Sequence, residues 1–161
     1  MGECLLAIPG MGARAQRTRV KQAVGIWADC LVTAWTDELS AGALFRAGST
    51  QSSPLEPDRA GDRALGAKLA DVHTRMVKWL VDTPPEDVAA AHPDNRLIRW
   101  DDVAAVTLEF RRFPQATRLA LRLGDGEELE LVTKVRAQQR FAALERALGM
   151  SAAAGRVDVR R

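Results

Sequence analysis

Between Leu119 and Leu131 the chain has few ways to fold. Leu119, Leu121 and Leu123 alternate with Arg118, Ala120 and Arg122, Leu129 and Leu131 alternate with Glu128 and Glu130, and Gly124-Asp125-Gly126 separates the two runs. A period of two, with leucine on one side and charge on the other, specifies half-buried strands, and a short glycine-bounded gap between them specifies a hairpin. Loop length sets the register. A two-residue Asp-Gly turn would oppose leucine to glutamate, so a three-residue loop is expected, with Gly126 left-handed, Leu121 facing Leu129, Leu119 facing Leu131 and Arg122 facing Glu128.

The same periodicity extends towards the N-terminus. Leu97, Ile98 and Trp100 open a strand, Asp101-Asp102 makes a corner, and Ala104, Val106, Leu108 and Phe110 alternate along a second strand that ends at Arg111-Arg112-Phe113-Pro114. Beyond the hairpin, Ala137, Phe141, Leu144 and Leu148 share one face of a closing helix, with Gly149 as its expected cap and residues 151–161 as a flexible tail. Upstream, Leu65, Leu69, Val72, Met76, Trp79 and Leu80 recur at helical spacing, which predicts an amphipathic helix over 62–81. Thr83-Pro84-Pro85-Glu86 then reads as a new helix start, with Thr83 as N-cap and Glu86 reaching back, ending before Pro93. An unpartnered stripe on the 62–81 helix would favour self-association.

The first third admits two readings. Cys4 to Ile8 suits a strand stopped by Pro9-Gly10. Val20, Val24, Trp27, Leu31 and Ala34 then share a helical face, yet Cys30 to Trp35 also suits a buried strand, so 25–48 is either helical or extended. Ala43-Leu44-Phe45 suits a further short strand, and Gly48 to Gly61, rich in Ser, Pro, Gly and Asp, a loop.

Composition narrows the function. A chain of 161 residues that is 47% hydrophobic can bury one ordinary core, so a single domain over 1–150 is expected. With 23 Lys and Arg against 21 acids the formal charge is +2, far below the excess of a dedicated nucleic-acid binder. The charge is unevenly placed: Cys4 to Ala28 holds Arg14, Arg17, Arg19 and Lys21 and no acid, whereas Asp82 to Asp102 holds six acids against Arg96 and Arg99. Cys4 and Cys30 have neither metal-ligand spacing nor a disulfide framework and read as free thiols. Glu3 precedes the first apolar run and the arginines follow it, the reverse of a signal peptide, so a cytoplasmic protein is expected. The longest apolar stretch, Ala23 to Trp35, is shorter than the ~20 residues of a membrane span and contains Asp29, so no transmembrane segment is expected.

The run Asn95-Arg96-Leu97-Ile98-Arg99-Trp100-Asp101-Asp102-Val103, followed by a strand, a leucine hairpin on Gly-Asp-Gly and a terminal Phe/Leu helix, resembles bacterial and archaeal pleckstrin-homology-like (GRAM-related) domains. Pro84-Pro85-Glu86-Asp87-Val88 looks like a helical insertion that some of those domains carry, and Leu31-Val32-Thr33 with Thr36-Asp37 and Leu44-Phe45 like a degraded form of their early strand pair. The resemblance covers half to two-thirds of the chain and rests on patterns of strand, turn and helix. It implies an α+β fold: an antiparallel, partly open β-barrel or sheet, closed by the C-terminal helix, with a helical segment inserted over about 62–92. It further implies a non-catalytic interaction or scaffold module without a cofactor, binding a protein or an anionic lipid, and so peripheral to a membrane in the second case. In this reading Arg14, Arg17, Arg19, Lys21, Arg111 and Arg112 are the contact candidates.

A second reading competes. Gly10-Met11-Gly12-Ala13-Arg14-Ala15 is a formal G-x-G-x-x-A after an apparent strand, with Asp29 about twenty residues on, as a dinucleotide-binding enzyme or sensor requires. Gly10 and Gly12 would admit the pyrophosphate and Asp29 the ribose. Pro9 against the turn and the lack of βαβ alternation oppose it. His73 and His92 have no second His or Cys at ligand spacing, so no metal site is expected, and both suit structural roles. Trp27, Trp35, Trp79 and Trp100 lie on apolar faces and are expected in the core.

Overall fold

A computed structural model describes residues 3–13, 21–35, 71 and 73–161. Strands β1 (Cys4–Ala13), β2 (Lys21–Trp27) and β3 (Cys30–Trp35) are followed by helix α1 over residues 73–82 and helix α2 (Pro85–Ala90). Strands β4 (Arg96–Arg99), β5 (Val103–Arg112), β6 (Gln115–Leu123) and β7 (Glu128–Thr133), helix α3 (Ala137–Met150) and strand β8 (Val157–Arg160) complete the order. The strands form one open sheet in the order β4-β3-β2-β1-β7-β6-β5-β8, antiparallel except where β8 runs parallel to β5. The fold is therefore α+β, as expected. The region left between helix and strand is extended over 21–27 and 30–35.

The hairpin of β6 and β7 has the expected register, with Leu119 opposite Leu131, Leu121 opposite Leu129 and Arg122 opposite Glu128. Gly126 has φ +92° and donates its N–H to the Leu123 carbonyl at 3.0 Å, so the loop is Gly124 to Gly126. Leucines of this hairpin meet Val106 and Leu108 of β5, Val24, Ile26, Leu31 and Ile98 of the early strands, and Phe141, Leu144 and Leu148 of α3 in one core. Because early and late strands share that core, the sheet curls over itself, and α3 seals the curl.

The outer face of the early strands is also apolar. Ala23, Trp27, Cys30, Val32 and Ala34 pack against Met76 and Leu80 of α1 and Val88 of α2. The expected stripe on the 62–81 helix is thus covered by its own sheet over the described part, which removes the motive for self-association there; Leu65, Leu69 and Val72 lie outside the described residues. Asn95 ties this layer together. Its Oδ1 accepts the Trp35 N–H at 2.7 Å and its Nδ2 donates to the Val88 carbonyl at 2.7 Å.

Several local expectations are corrected. Pro9-Gly10 does not end β1: one extra residue is taken up between Ile8, opposite Val24, and Met11, opposite Gln22, and Gly10 at φ +70° supplies the bulge that lets pairing resume. Helix α2 is capped from Pro84 without a side-chain bond, because the Glu86 carboxylate is held by Arg99 at 2.9 Å instead of reaching back to Thr83. Gly149 lies inside α3, and Ser151 ends the helix with its Oγ donating to the Leu148 carbonyl at 2.9 Å. Residues 151–161 are not a flexible tail. Ala153 is fully buried, Ala152 donates to the Ala28 carbonyl at 2.7 Å, Arg156 bonds the carbonyls of Trp100 and Val103, and β8 pairs with β5. Arg156 is the residue that converts a tail into structure, since its guanidinium bonds carbonyls around the β4–β5 corner. Ala43-Leu44-Phe45 lies outside the described residues.

Trp27 and Trp100 are in the core as expected, the Trp100 indole donating to the Trp27 carbonyl at 3.1 Å. Trp35 and Trp79 are only partly buried, and Trp35 packs against His92 with ring centroids 4.4 Å apart. Gly25 accommodates Trp27, since a Cβ there would come within 2.3 Å of the indole ring. No helix among the described residues is long and apolar enough to cross a membrane.

Candidate functional site

Gly10 and Gly12 do not form a dinucleotide turn. A phosphate site of that kind needs the glycines between the end of a strand and the start of a helix, where free N–H groups point outwards. Here both sit inside β1, with Gly12 paired to Lys21 on one side and Val132 on the other, and both neighbouring strands antiparallel. Asp29 lies in the β2–β3 turn, where its carboxylate accepts from Arg99 at 3.0 Å. Arg14, Arg17 and Arg19 lie outside the described residues, as does the side chain of Lys21, whose backbone opens β2.

Arg111 and Arg112 are exposed at the end of β5, where Arg111 opposes Ala116 and Arg112 opposes Gln115 across the tip Phe113-Pro114. They differ in their surroundings. Arg111 donates from Nε to Glu109 Oε1 at 3.0 Å, whereas Arg112 takes part in no ion pair among the described residues. Glu109 also accepts from Arg118, which reaches Glu130 at 2.8 Å, so a ladder of alternating charge crosses the outer face of β5, β6 and β7. The Arg111 guanidinium, then Arg118, holds the Glu109 carboxyl below its ordinary range.

The strand register brings a second cationic segment to the same end of the sheet. Thr133, the last residue of β7, opposes Thr117 of β6, and Lys134, Val135 and Arg136 follow it into α3. Thr117 Oγ1 donates to the Ala137 carbonyl at 2.6 Å, which fixes the start of α3 beside the β5–β6 hairpin. Lys134 and Arg136 are exposed and take part in no ion pair among the described residues, and Arg136 is held at φ 48°. Arg140, one turn into α3, is half-buried and donates to Thr133 Oγ1 at 2.5 Å. Burial, and next the charge of Arg136, lower its pKa.

Two large apolar side chains stand exposed among these cations: Phe113, 95% exposed at the hairpin tip, and Val135, 63% exposed in the β7–α3 loop. The rim thus combines Arg112, Lys134 and Arg136 with Phe113 and Val135. Sequence reasoning found Arg111 and Arg112 and missed Lys134, Val135, Arg136 and Arg140. The signal was present, because the expected Leu119–Leu131 pairing, carried one step along β6, already sets Thr117 opposite Thr133.

Elsewhere several charged groups are partnered. Arg96 bonds Glu127 at 2.6 Å and 2.8 Å, Arg99 bonds Asp29 and Glu86, and Arg161 bonds Glu145 at 2.6 Å while lying over the Phe141 ring. His92 accepts the Asp94 N–H at 3.1 Å and His73 packs beside Gly10, both structural settings. Cys30 is fully buried and burial pushes its thiol up to about 12, which makes it a poor nucleophile. Among the described residues no group of three or more His, Cys, Asp or Glu could hold a metal ion. No family model and no curated protein sequence matches the chain.

Proposed function

We propose that this chain is a non-catalytic interaction module on a pleckstrin-homology-like frame, and that it engages an anionic partner through the rim formed by the β5–β6 tip and the β7–α3 loop. The observation that carries this reading is the gathering of Arg112, Lys134 and Arg136 at one end of the sheet with no acid paired to them among the described residues, while neighbouring Arg111, Arg118 and Arg160 are each held by a carboxylate. Guanidinium and ammonium charges on a rigid scaffold attract and orient an anion. The frame adds support: strands β1 to β3, the two helices, strands β4 to β7 and a closing helix follow in the order that the resemblance implies, with β8 added after it. A cytoplasmic site of action agrees with the two free, partly or fully buried thiols.

Titration of the isotope-labelled protein with a soluble poly-glutamate peptide tests the reading. Backbone amides over 111–116 and 133–140 shift, the effect weakens with added salt, and the variant Arg112→Glu/Lys134→Glu/Arg136→Glu loses it while keeping its circular dichroism. A titration that leaves these amides unmoved, or that is unchanged in the triple variant, overturns the proposal.

A further inference from the structure

Independently of the rim, we infer that two copies of this chain join edge to edge through β8, in antiparallel register about a two-fold axis at Val159. β8 is the last strand of the sheet: it bonds β5 along one side, and along the other no strand pairs with it among the described residues. Sheet edges are commonly blunted by a bulge, a proline, charges of one sign or a covering loop. The opposite edge is managed in that way, since Glu127 of the β6–β7 loop reaches β4 and binds Arg96 at 2.6 Å and 2.8 Å. β8 has none of these devices. Its register with β5 runs unshifted from Val157 to Arg160, it contains no proline, and its two charged side chains, Asp158 and Arg160, are opposite in sign and 58% and 65% exposed.

The order of those charges selects a second copy as the occupant. If two copies continue one sheet, inner face beside inner face, the axis is perpendicular to the sheet and passes through a residue, because opposed residues point to the same side. An axis at Asp158 or at Arg160 sets that charge against its own counterpart, and like charges directly opposite repel. An axis at Val157 calls on Arg156, whose guanidinium is committed to the carbonyls of Trp100 and Val103. The axis at Val159 sets valine against valine and Asp158 against Arg160 twice. Val159 lies beside the inward-pointing Leu108 of β5 and is 38% exposed, so the same register takes apolar surface from water. A strand from another protein carrying one sign of charge would satisfy half of this edge; β8 reversed satisfies all of it. With four residues a side the contact is well below the usual interface size, so the dimer is transient, with a dissociation constant on the order of 100 µM. Because β8 runs parallel to β5, the joined sheet points its two β5–β6 tips in opposite directions.

Sedimentation equilibrium of the full chain from about 10 µM to about 1 mM tests this, the parent approaching the mass of two chains at the upper end. Asp158→Arg and Arg160→Asp each weaken dimerisation about tenfold, since each opposes like charges at both pairs. An equimolar mixture of the two variants regains the parental affinity, because one strand then carries two cations and the other two acids. Val159→Cys, which leaves both charges in place, cross-links between copies with diamide as oxidant, whereas Asp158→Cys, two residues out of register with its counterpart, cross-links at least about tenfold more slowly. A mass of one chain across the whole range overturns the dimer. A dimer in which Asp158→Cys cross-links as fast as Val159→Cys overturns pairing at Val159, as does a mixture of the folded charge variants that stays monomeric.

Discussion

The early half of the sheet, β1 to β4, is apolar on both faces, whereas the late half, β5 to β7, is apolar on one. In the early half Val24, Ile26 and Leu31 point into the curl of the sheet while Ala23, Val32 and Ala34 point outwards under α1 and α2. In the late half Leu108, Leu119 and Leu131 point inwards, and Glu109, Arg118 and Glu130 form a charged ladder on the outside. The difference divides the labour of the molecule. A face buried beneath helices is closed to solvent, whereas the outer face of β5 to β7 stays in water, where the proposed rim lies.

The largest expected effect comes from placing the same charge on each outer face. Val32→Lys puts an ammonium group between sheet and helices, where Val32 is fully buried and its outward neighbours are apolar. It should cost about 4 kcal/mol or more, enough to unfold a domain of ordinary stability. Ala120→Lys lands between Thr107 and Glu130 on the late half and should cost under about 1 kcal/mol. Urea denaturation of the two variants measures the contrast, and equal midpoints would mean that the helices do not cover the early strands.

A smaller effect separates the hydrogen bonds that lock each half to its helix. Asn95→Ala leaves the Trp35 N–H and the Val88 carbonyl without their partner in a buried place and should cost about 2–3 kcal/mol. Thr117→Val removes a single bond to the Ala137 carbonyl and should cost about 1 kcal/mol. Amide exchange sharpens the comparison: in Asn95→Ala the protection of α1 and α2 falls while that of β5 to β7 holds. Uniform loss across the sheet would instead make the two halves one cooperative unit.

The same asymmetry decided what could be read in advance. Leu119, Leu121, Leu129 and Leu131 alternate with charge because one side meets water, so strands, loop and register followed directly. Between Ala23 and Trp35 both faces are buried, the period of two vanishes, and a helical wheel fits as well as a strand. Pro9-Gly10 read as a strand end because the bulge depends on Val24 and Gln22 of the partner strand, which local sequence does not name. The order of 151–160 depends on the carbonyls of Trp100 and Val103, far away in the chain. At the rim, Arg112 was visible as a charge beside a turn; Lys134 and Arg136 became neighbours of that turn only through pairing across β6.

The smallest expected effect is a pH dependence confined to the late half. The Glu109 carboxyl, less than a quarter exposed between Arg111 and Arg118, is held below its ordinary range in the folded chain and returns to that range when unfolded. A depressed folded value means that the ionised form is favoured by folding. The stabilisation is complete above the unfolded value and is lost as pH falls through the folded one. Glu109→Gln should therefore lower stability at pH 7 by up to about 1 kcal/mol, and the gap from the parent should narrow steadily on acidification below about pH 4. Added salt should shrink it only in part, because the carboxylate is shielded by its two arginines and the strand surface. A gap that stayed constant with pH would show that Glu109 acts through packing.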